Sequence, residues 1–155
     1  METWEAMKSF TANRDEATVD ELWCLEHPRV FTQGQAGKAE HILLPRDIPV
    51  IQVDRGGQVT YHGPGQLVGH PIVRLEKHER DLHKFLRHQE SALIAALASE
   101  CGLEAGRKEG LTGVWAGDKK LASIGIACRG WVTYHGFALN LSTDLSRFGL
   151  FNPCD

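Results

Sequence analysis

The feature that most constrains the fold is a dense run of glycines between two apolar stretches. Residues 55–66 read RGGQVTYHGPGQ and include four glycines. Glycine permits positive φ and lets another group approach the backbone where a Cβ would otherwise stand. We therefore expect this glycine-rich segment to form a loop or narrow strand pair within a sheet, opened to admit a ligand. A glycine-rich hairpin without a ligand is the alternative, because a short glycine pattern is weakly specific.

Hydrophobic periodicity predicts two helices among several strands. The helices are expected at residues 2–14 and 80–101, and Gly102 is the expected stop signal of the second. The strands are expected at residues 21–31, 48–53, 66–75, 113–115, 120–128 and 131–141. Pro71 indicates an edge or bulge position in the third of these strands. Helices among at least six short strands predict an α/β or α+β fold, with a mixed β-sheet packed against helices.

The second helix carries an apolar stripe that is expected to lie in the core. The members of this stripe are Leu82, Phe85, Leu86, Ala92, Leu93, Ala96 and Leu97.

Composition excludes several function classes. The 155 residues are 42% hydrophobic and 24% charged, as in ordinary globular proteins, and fit one domain. A formal net charge of −3 gives no electrostatic basis for binding nucleic acid or an anionic membrane surface. No apolar run approaches the roughly 20 residues of a membrane helix, and the acidic N-terminus does not resemble a secretion signal. We expect a cytoplasmic protein without nucleic-acid or membrane partners.

The cysteines and histidines do not predict a metal site. The four cysteines are widely and irregularly spaced, at Cys24, Cys101, Cys128 and Cys154. The first three are expected to be free thiols, most of them packed as small apolar side chains. His78, His83 and His88 recur every five residues, which does not align them on one helix face. We expect neither a metal nor a cofactor.

Five ordered blocks of sequence carry a family resemblance. Besides residues 55–66 they are DELWCLEHPRVFTQGQAGKAEH (20–41), GVWAGDKKLASIG (113–125), HGFALN (135–140) and NPC (152–154). Together they cover nearly the whole chain and resemble the octanoyl transferases of lipoate biosynthesis, the lipoate-protein ligase B type. The resemblance implies the fold shared by biotin-protein ligases and lipoate ligases. It also implies a single octanoyltransferase catalytic domain over residues 1–155.

The resemblance implies a two-step acyl transfer by two residues. Cys154 is expected to attack the thioester of octanoyl-acyl carrier protein and to become octanoylated. The ε-amine of a lysine on a lipoyl domain then attacks this acyl-cysteine. Lys120 matches the family's catalytic lysine, which lowers the pKa of the thiol and later accepts a proton. Lys119 is the competitor from sequence, and strand alternation is expected to place it on the opposite, solvated face.

The resemblance also implies a substrate slot with three walls. Its residues are Arg55, Gly56, Gly57, Gln58, Val59, Thr60, Tyr61 and His62 on one wall, Ser123, Ile124 and Gly125 on the second, and Gly136, Phe137 and Ala138 on the third. For His62 the alternative to a pocket role is a brace for the loop. The implied acceptors are the lipoyl domains of 2-oxoacid dehydrogenases and of the glycine cleavage H protein.

Basic side chains lie around the start of the second predicted helix, at Lys77, Arg80, Lys84 and Arg87. We expect them to be solvated, with steering of an acidic carrier protein as the alternative.

The sequence departs from the family pattern after Cys154. Family members typically continue with glycine and several dozen further residues, whereas Asp155 ends this sequence. We expect a C-terminally shortened chain in which two adjacent negative charges disfavour the thiolate. Such a chain is expected to transfer octanoyl groups more slowly than an extended one. The alternatives are an inactive acyl- or carrier-binding domain and an ATP-dependent lipoate or biotin ligase on the same fold.

Overall fold

The structure, a computed structural model, describes residues 2–151, which form two α-helices, three short 3₁₀ helices and eight strands. The helices are α1 (Glu2–Ala12) and α2 (Leu82–Cys101). The strands are β1 (Glu21–Leu25), β2 (Val30–Gln33), β3 (Val50–Gln52), β4 (Val59–His62), β5 (Gln66–Ile72), β6 (Val114–Ala116), β7 (Lys119–Arg129) and β8 (Val132–Asn140). One sheet has the strand order β1-β5-β8-β7-β6 and the other β3-β2-β4. Because β2 runs parallel to β3 and antiparallel to β4, the expected mixed sheet is confirmed.

The chain divides into two compact units. The first unit comprises the residues up to 23 together with 69–137, and the second comprises 24–68 and the residues from 138 onward. In the first unit, a buried cluster packs Met7 of α1 against Ile72, Val132 and Tyr134. In the second unit, a separate cluster is formed by Phe31, Ile48, Val59, Tyr61 and Phe151. Each unit therefore has an apolar cluster of its own.

Helix α2 begins and ends where its flanking residues predict. Asp81 accepts a hydrogen bond from the Lys84 N–H (3.0 Å), and Gly102 adopts φ 61° and donates to the Ala98 carbonyl (3.1 Å). The apolar stripe is only partly as predicted. Leu93 and Leu97 are buried, but Ala92 and Ala96 are exposed, and the polar Gln89 and Glu90 are buried instead. Positions 86, 89, 90, 93 and 97 lie on one helical face, so the two polar residues share the face of the leucines.

The strands differ from the expectations at two points. The strand expected at residues 21–31 divides into β1 and β2, because Pro28 has no N–H to contribute to a ladder. As expected, the glycine-rich segment contributes a strand, β4. Of the two positions expected for Pro71, an edge strand is excluded, since β5 pairs with β1 on one side and β8 on the other. In that interior position its carbonyl accepts a hydrogen bond from the Thr133 hydroxyl (3.1 Å).

Neither described helix is sufficiently long and apolar to span a membrane.

Candidate functional site

The glycine-rich segment forms β4 and the turn that precedes it, within the second unit. Strand β4 pairs antiparallel with β2, placing His62 opposite Val30 and Thr60 opposite Thr32. Before the strand, three further backbone hydrogen bonds continue the pairing beyond the end of β2. They run from Gly34 N to Gln58 O (2.8 Å), from Gln35 N to Arg55 O (2.9 Å) and from Ala36 N to Gly57 O (3.1 Å). The segment is therefore a narrow strand pair, one of the two expected forms.

Glycine is required here by close approach of the protein's own chain. A Cβ at Gly34 would lie 2.4 Å from the Gly57 carbonyl oxygen and 2.8 Å from Arg55 Nη1. Gly57 itself has φ 83°, a conformation that L side chains rarely adopt. These two glycines thus allow the turn at residues 55–58 to lie directly against the end of β2.

Arg55 holds this turn from inside. Its guanidinium is buried and donates to the Gly56 carbonyl (2.9 Å), the Thr32 carbonyl (2.7 Å) and the Thr32 hydroxyl (2.9 Å). A charged group that donates to three neutral oxygens fixes their positions strongly, because charge-assisted hydrogen bonds are shorter and stronger than neutral ones. Arg55 therefore positions the backbone between β2 and the turn.

His62 continues this network through both of its ring nitrogens. Gln66 Nε2 donates to the Tyr61 carbonyl (3.1 Å) and to Asn140 Oδ1 (3.0 Å), so its Oε1 faces His62 Nδ1 (2.8 Å) and can only accept. His62 Nδ1 must therefore carry the proton. On the other side, Thr32 Oγ1 accepts from Arg55 and lies 3.1 Å from His62 Nε2, within hydrogen-bonding distance. The structure thus places His62 as a brace of the segment, and its pocket role stays a prediction.

His27 lies beside this brace. The two ring centroids, of His27 and His62, are 5.5 Å apart and tilted by 55°. Burial disfavours the imidazolium and lowers the pKa of His27 below its ordinary value of 6.5. The surroundings of His62 therefore gain no positive charge from His27 at neutral pH.

The first unit contains Lys120, on the β-hairpin formed by β6 and β7. Trp115 pairs with Lys120 and Ala116 with Lys119, and the register is irregular between Val114 and Trp115. The ammonium nitrogen of Lys120 lies 5.2 Å from the centroid of the Trp115 ring. A Cβ at Gly113 would lie 2.9 Å from Lys120 Cε, so the lysine chain crosses the glycine backbone. Both Lys119 and Lys120 are exposed.

A buried carboxylate, missed by the sequence analysis, lies next to this hairpin. Glu90 of α2 is 0% exposed. It accepts hydrogen bonds from Arg87 Nη1 (2.8 and 2.9 Å), from Arg107 Nε (2.8 Å) and from the Gly113 N–H (3.0 Å). Burial opposes ionisation, but these hydrogen bonds outweigh it and hold the pKa of Glu90 below its ordinary value of 4.5. We call this group, Arg87, Glu90, Arg107 and the Gly113 N–H, the Glu90 cluster.

The structure also places two of the basic side chains. Arg87 is exposed, as expected, and forms an ion pair with the fully buried Glu90. Arg80 lies over the Trp131 ring, with its guanidinium carbon 5.3 Å from the ring centroid.

Strand β8 has an unusual conformation at the HGFA sequence. His135 has φ 57° and Gly136 has φ 158°. A Cβ at Gly136 would lie 2.3 Å from the Gly69 carbonyl oxygen, and one at Gly69 would meet the Phe137 ring. The His135 ring packs edge-on against His70, with centroids 6.2 Å apart. Glycine at positions 69 and 136 therefore lets the two backbones approach within the first unit.

The remaining site residues predicted from the sequence lie in both units. Ser123, Ile124 and Gly125 are half-buried on β7, and Ala138 is buried on β8. Residues 55–62 and Ala138 belong to the second unit, whereas Lys120, residues 123–125, Gly136 and Phe137 belong to the first. Cys154 lies outside the described residues.

The three described cysteines are free thiols, but the expectation that most of them are packed is wrong. Cys24 and Cys101 are exposed, and Cys128 is half-buried. Burial raises the pKa of Cys128 above its ordinary value of 9.0. No group of three or more metal-binding side chains occurs within residues 2–151.

Comparison with known proteins identifies the family. The family model described as the lipoyl protein ligase A/B catalytic domain matches residues 1–154. The chain belongs to this family. Its sequence is 60% identical to an octanoyltransferase of Marinobacter nauticus, an alignment that covers 99% of this chain and 72% of that protein. An octanoyltransferase of Neisseria meningitidis is 50% identical, with 98% of this chain and 73% of that protein covered.

A solved structure supports the fold. The bipartite lipoate protein ligase of Thermoplasma acidophilum superimposes with a TM-score of 0.76 over 96% of this chain and 61% of that chain. The sequence identity is 20%, so this likeness shows the fold alone. The family resemblance and the lipoate ligase-like fold expected from the sequence are both confirmed.

Proposed function

We propose that this chain is an acyltransferase that moves an octanoyl group from octanoyl-acyl carrier protein to a lysine ε-amine on a lipoyl domain. The observation that carries the proposal is the high identity to octanoyltransferases over nearly the whole chain. The acceptors would be the lipoyl domains of 2-oxoacid dehydrogenases and of the glycine cleavage H protein, and the setting the cytoplasm. The resemblance in the five sequence blocks supports these choices.

The proposed chemistry is two successive acyl transfers. The Cys154 thiolate attacks the thioester carbonyl, the C–S bond to the carrier breaks, and the carrier thiol leaves with a proton. The lysine amine of the acceptor then attacks the acyl-cysteine, forming an amide and releasing the Cys154 thiol. Because the acyl group enters as a thioester, neither transfer needs activation by ATP.

Lys120 would act twice in this sequence. As an ammonium it favours the thiolate, since a nearby positive charge lowers the pKa of a cysteine. As a neutral amine it accepts the proton that the incoming lysine must lose. The position of Lys120 beside Trp115 and Gly113, rather than extended freely from the strand, supports a fixed geometry for this amine.

Octanoylation of the protein itself provides the test. We expect incubation with octanoyl-acyl carrier protein, without ATP, to add one octanoyl group to Cys154, as seen by intact mass. Adding a lipoyl domain should discharge this adduct. Cys154→Ser should abolish transfer, and Lys120→Ala should slow it about a hundredfold, the scale of general acid–base catalysis.

Lys119→Ala is the matched control, since it removes the adjacent exposed lysine of the same strand. Its transfer rate should stay near that of the unaltered chain. Transfer of free octanoate that requires ATP would instead support a ligase. Octanoate bound without an adduct would support an acyl-binding domain.

A further inference from the structure

The Glu90 cluster connects helix α2 to the hairpin that carries Lys120. Glu90 lies in the middle of α2, while Arg107 and Gly113 belong to the segment between α2 and β6. Arg107 also donates to the Arg87 carbonyl (2.9 Å) and to the Ser91 hydroxyl. The carboxylate therefore ties both the beginning and the end of this segment to the helix.

Gly113 links the Glu90 cluster to the side chain of Lys120. Its N–H donates to Glu90 Oε1 (3.0 Å), and the absent Cβ leaves the space in which Lys120 Cε lies. The same virtual Cβ would lie 2.6 Å from the Ala122 carbonyl oxygen and 3.2 Å from the Trp115 ring. Gly113 thus contacts the lysine, its indole neighbour and the backbone of β7 at once.

We propose that Glu90 is a positioning residue for Lys120, acting through the Gly113 N–H and the Trp115 ring. This inference rests on the proposed role of Lys120 in octanoyl transfer. The carboxylate does not contact the lysine. It fixes the position of the Gly113 backbone, which the Lys120 side chain crosses. The same backbone lies next to the Trp115 indole, against which the ammonium lies.

The energetics favour a specific role over general packing. A buried carboxylate is costly unless its oxygens are paired, and Glu90 requires two arginines and a backbone N–H to remain ionised. An apolar residue at position 90 would fill the same helical face without these partners. The arginines are roughly half exposed, with side-chain exposures of 45% and 40%, so they are not themselves packed in the core.

The position of Lys120 can be measured without any transfer reaction. Protons over an aromatic face resonate upfield, so the lysine ε-protons report their distance from tryptophan. The first unit offers an internal reference, because Lys8 Nζ lies 3.9 Å from the Trp4 centroid and pairs with Glu5 in another i,i+3 ion pair. We would record the lysine ε-proton resonances by NMR with ¹³C-labelled lysine, assigned with Lys120→Arg and Lys8→Arg.

Glu90→Gln should move the Lys120 resonance towards that of an exposed lysine and leave Lys8 unchanged. Glu5→Gln is the matched control and should do the reverse. In the transfer assay, Glu90→Gln should lower kcat about tenfold or more with little change in KM for the carrier, since small misplacements of reacting groups are costly. Glu5→Gln should leave both kinetic constants unchanged.

The outcomes separate this inference from the proposed function. A Lys120 resonance that stays in place in Glu90→Gln would overturn the positioning role, whatever the activity. If Lys120→Ala transferred octanoyl groups as fast as the unaltered chain, the proposed function, in which Lys120 takes part, would be overturned. The NMR comparison would still decide the positioning role. If Glu90→Gln does not fold, Arg107→Lys keeps the carboxylate and the positive charge. It should shift the Lys120 resonance in the same direction by less, and no shift would overturn the inference.

Discussion

Around the glycine-rich segment the backbone is held by a buried guanidinium, whereas around Gly113 it is held by a buried carboxylate. In the first case Thr32, His62 and Gln66 form a chain of hydrogen bonds anchored on Arg55. In the second, Glu90 gathers two guanidinium groups and one N–H. Both regions rely on glycines that allow close backbone approach. The difference teaches that similar tight backbone geometry can be fixed by a guanidinium or by a carboxylate whose charge is lost in acid.

The largest effect is expected from filling the close approach in the second unit. Gly34→Ala would place a methyl group 2.4 Å from the Gly57 carbonyl oxygen, where backbone meets backbone and neither side can yield easily. We expect a loss of about 3 kcal/mol in the free energy of unfolding, the upper range for overpacking. Urea denaturation near neutral pH measures it.

Gly149→Ala is the control for this substitution within the same unit. No atom lies within 4 Å of a Cβ built at Gly149, so the change should stay within about 0.5 kcal/mol. Equal stabilities for the two variants would show that the turn at residues 55–58 does not depend on close approach.

A smaller effect, with a pH dependence, is expected from the Glu90 cluster. Glu90→Gln should destabilise the fold by about 2 kcal/mol near neutral pH, the scale of hydrogen bonds to a charged group. Because the folded-state pKa of Glu90 is depressed, its ionisation stabilises the fold above the ordinary value of 4.5. This contribution is lost as the pH falls through the lower, folded-state pKa. The difference in unfolding free energy between Glu90→Gln and the unaltered chain should therefore become smaller in acid.

Urea denaturation at a series of pH values checks this expectation. Asp118→Asn is a suitable control, because Asp118 is fully exposed in its ion pair with Lys108 and should contribute little at any pH. If the difference in unfolding free energy between Glu90→Gln and the unaltered chain stayed constant from neutral to acidic pH, an ionised Glu90 would be contradicted.

The same contrast explains what the sequence could predict. The helix α2, its Gly102 stop and the strand pair in the glycine-rich segment follow from local periodicity and glycine chemistry. The buried position of Glu90 could have been inferred, because residue 90 lies four after Leu86 and three before Leu93 on the leucine face. Its partners could not, since Arg107 and Gly113 reach it only through tertiary folding.

The site shows a similar division. The motif at residues 55–66 and Lys120 stand out in the sequence, but the contacts that Arg55 makes with Thr32 and that Gln66 makes with His62 do not. Their contacts depend on the register between β2 and β4, which a single sequence does not specify. The sequence also left open an edge position for Pro71, because edge and interior strands differ only in which strands lie beside them.

The smallest effect is expected from the hydrogen-bond chain that links Arg55, Thr32, His62 and Gln66. Thr32→Val removes the hydroxyl between Arg55 and His62 while keeping the side-chain shape, and should cost about 1 kcal/mol. Thr32→Ser keeps the hydroxyl and should cost less. In both variants Gln66 Oε1 still faces His62 Nδ1 and can only accept, so the ring should keep its proton on Nδ1. Correlation of the ring nitrogens and carbon-bound protons by NMR identifies the tautomer. A ring without a proton on Nδ1 would contradict the hydrogen bond from His62 to Gln66 Oε1.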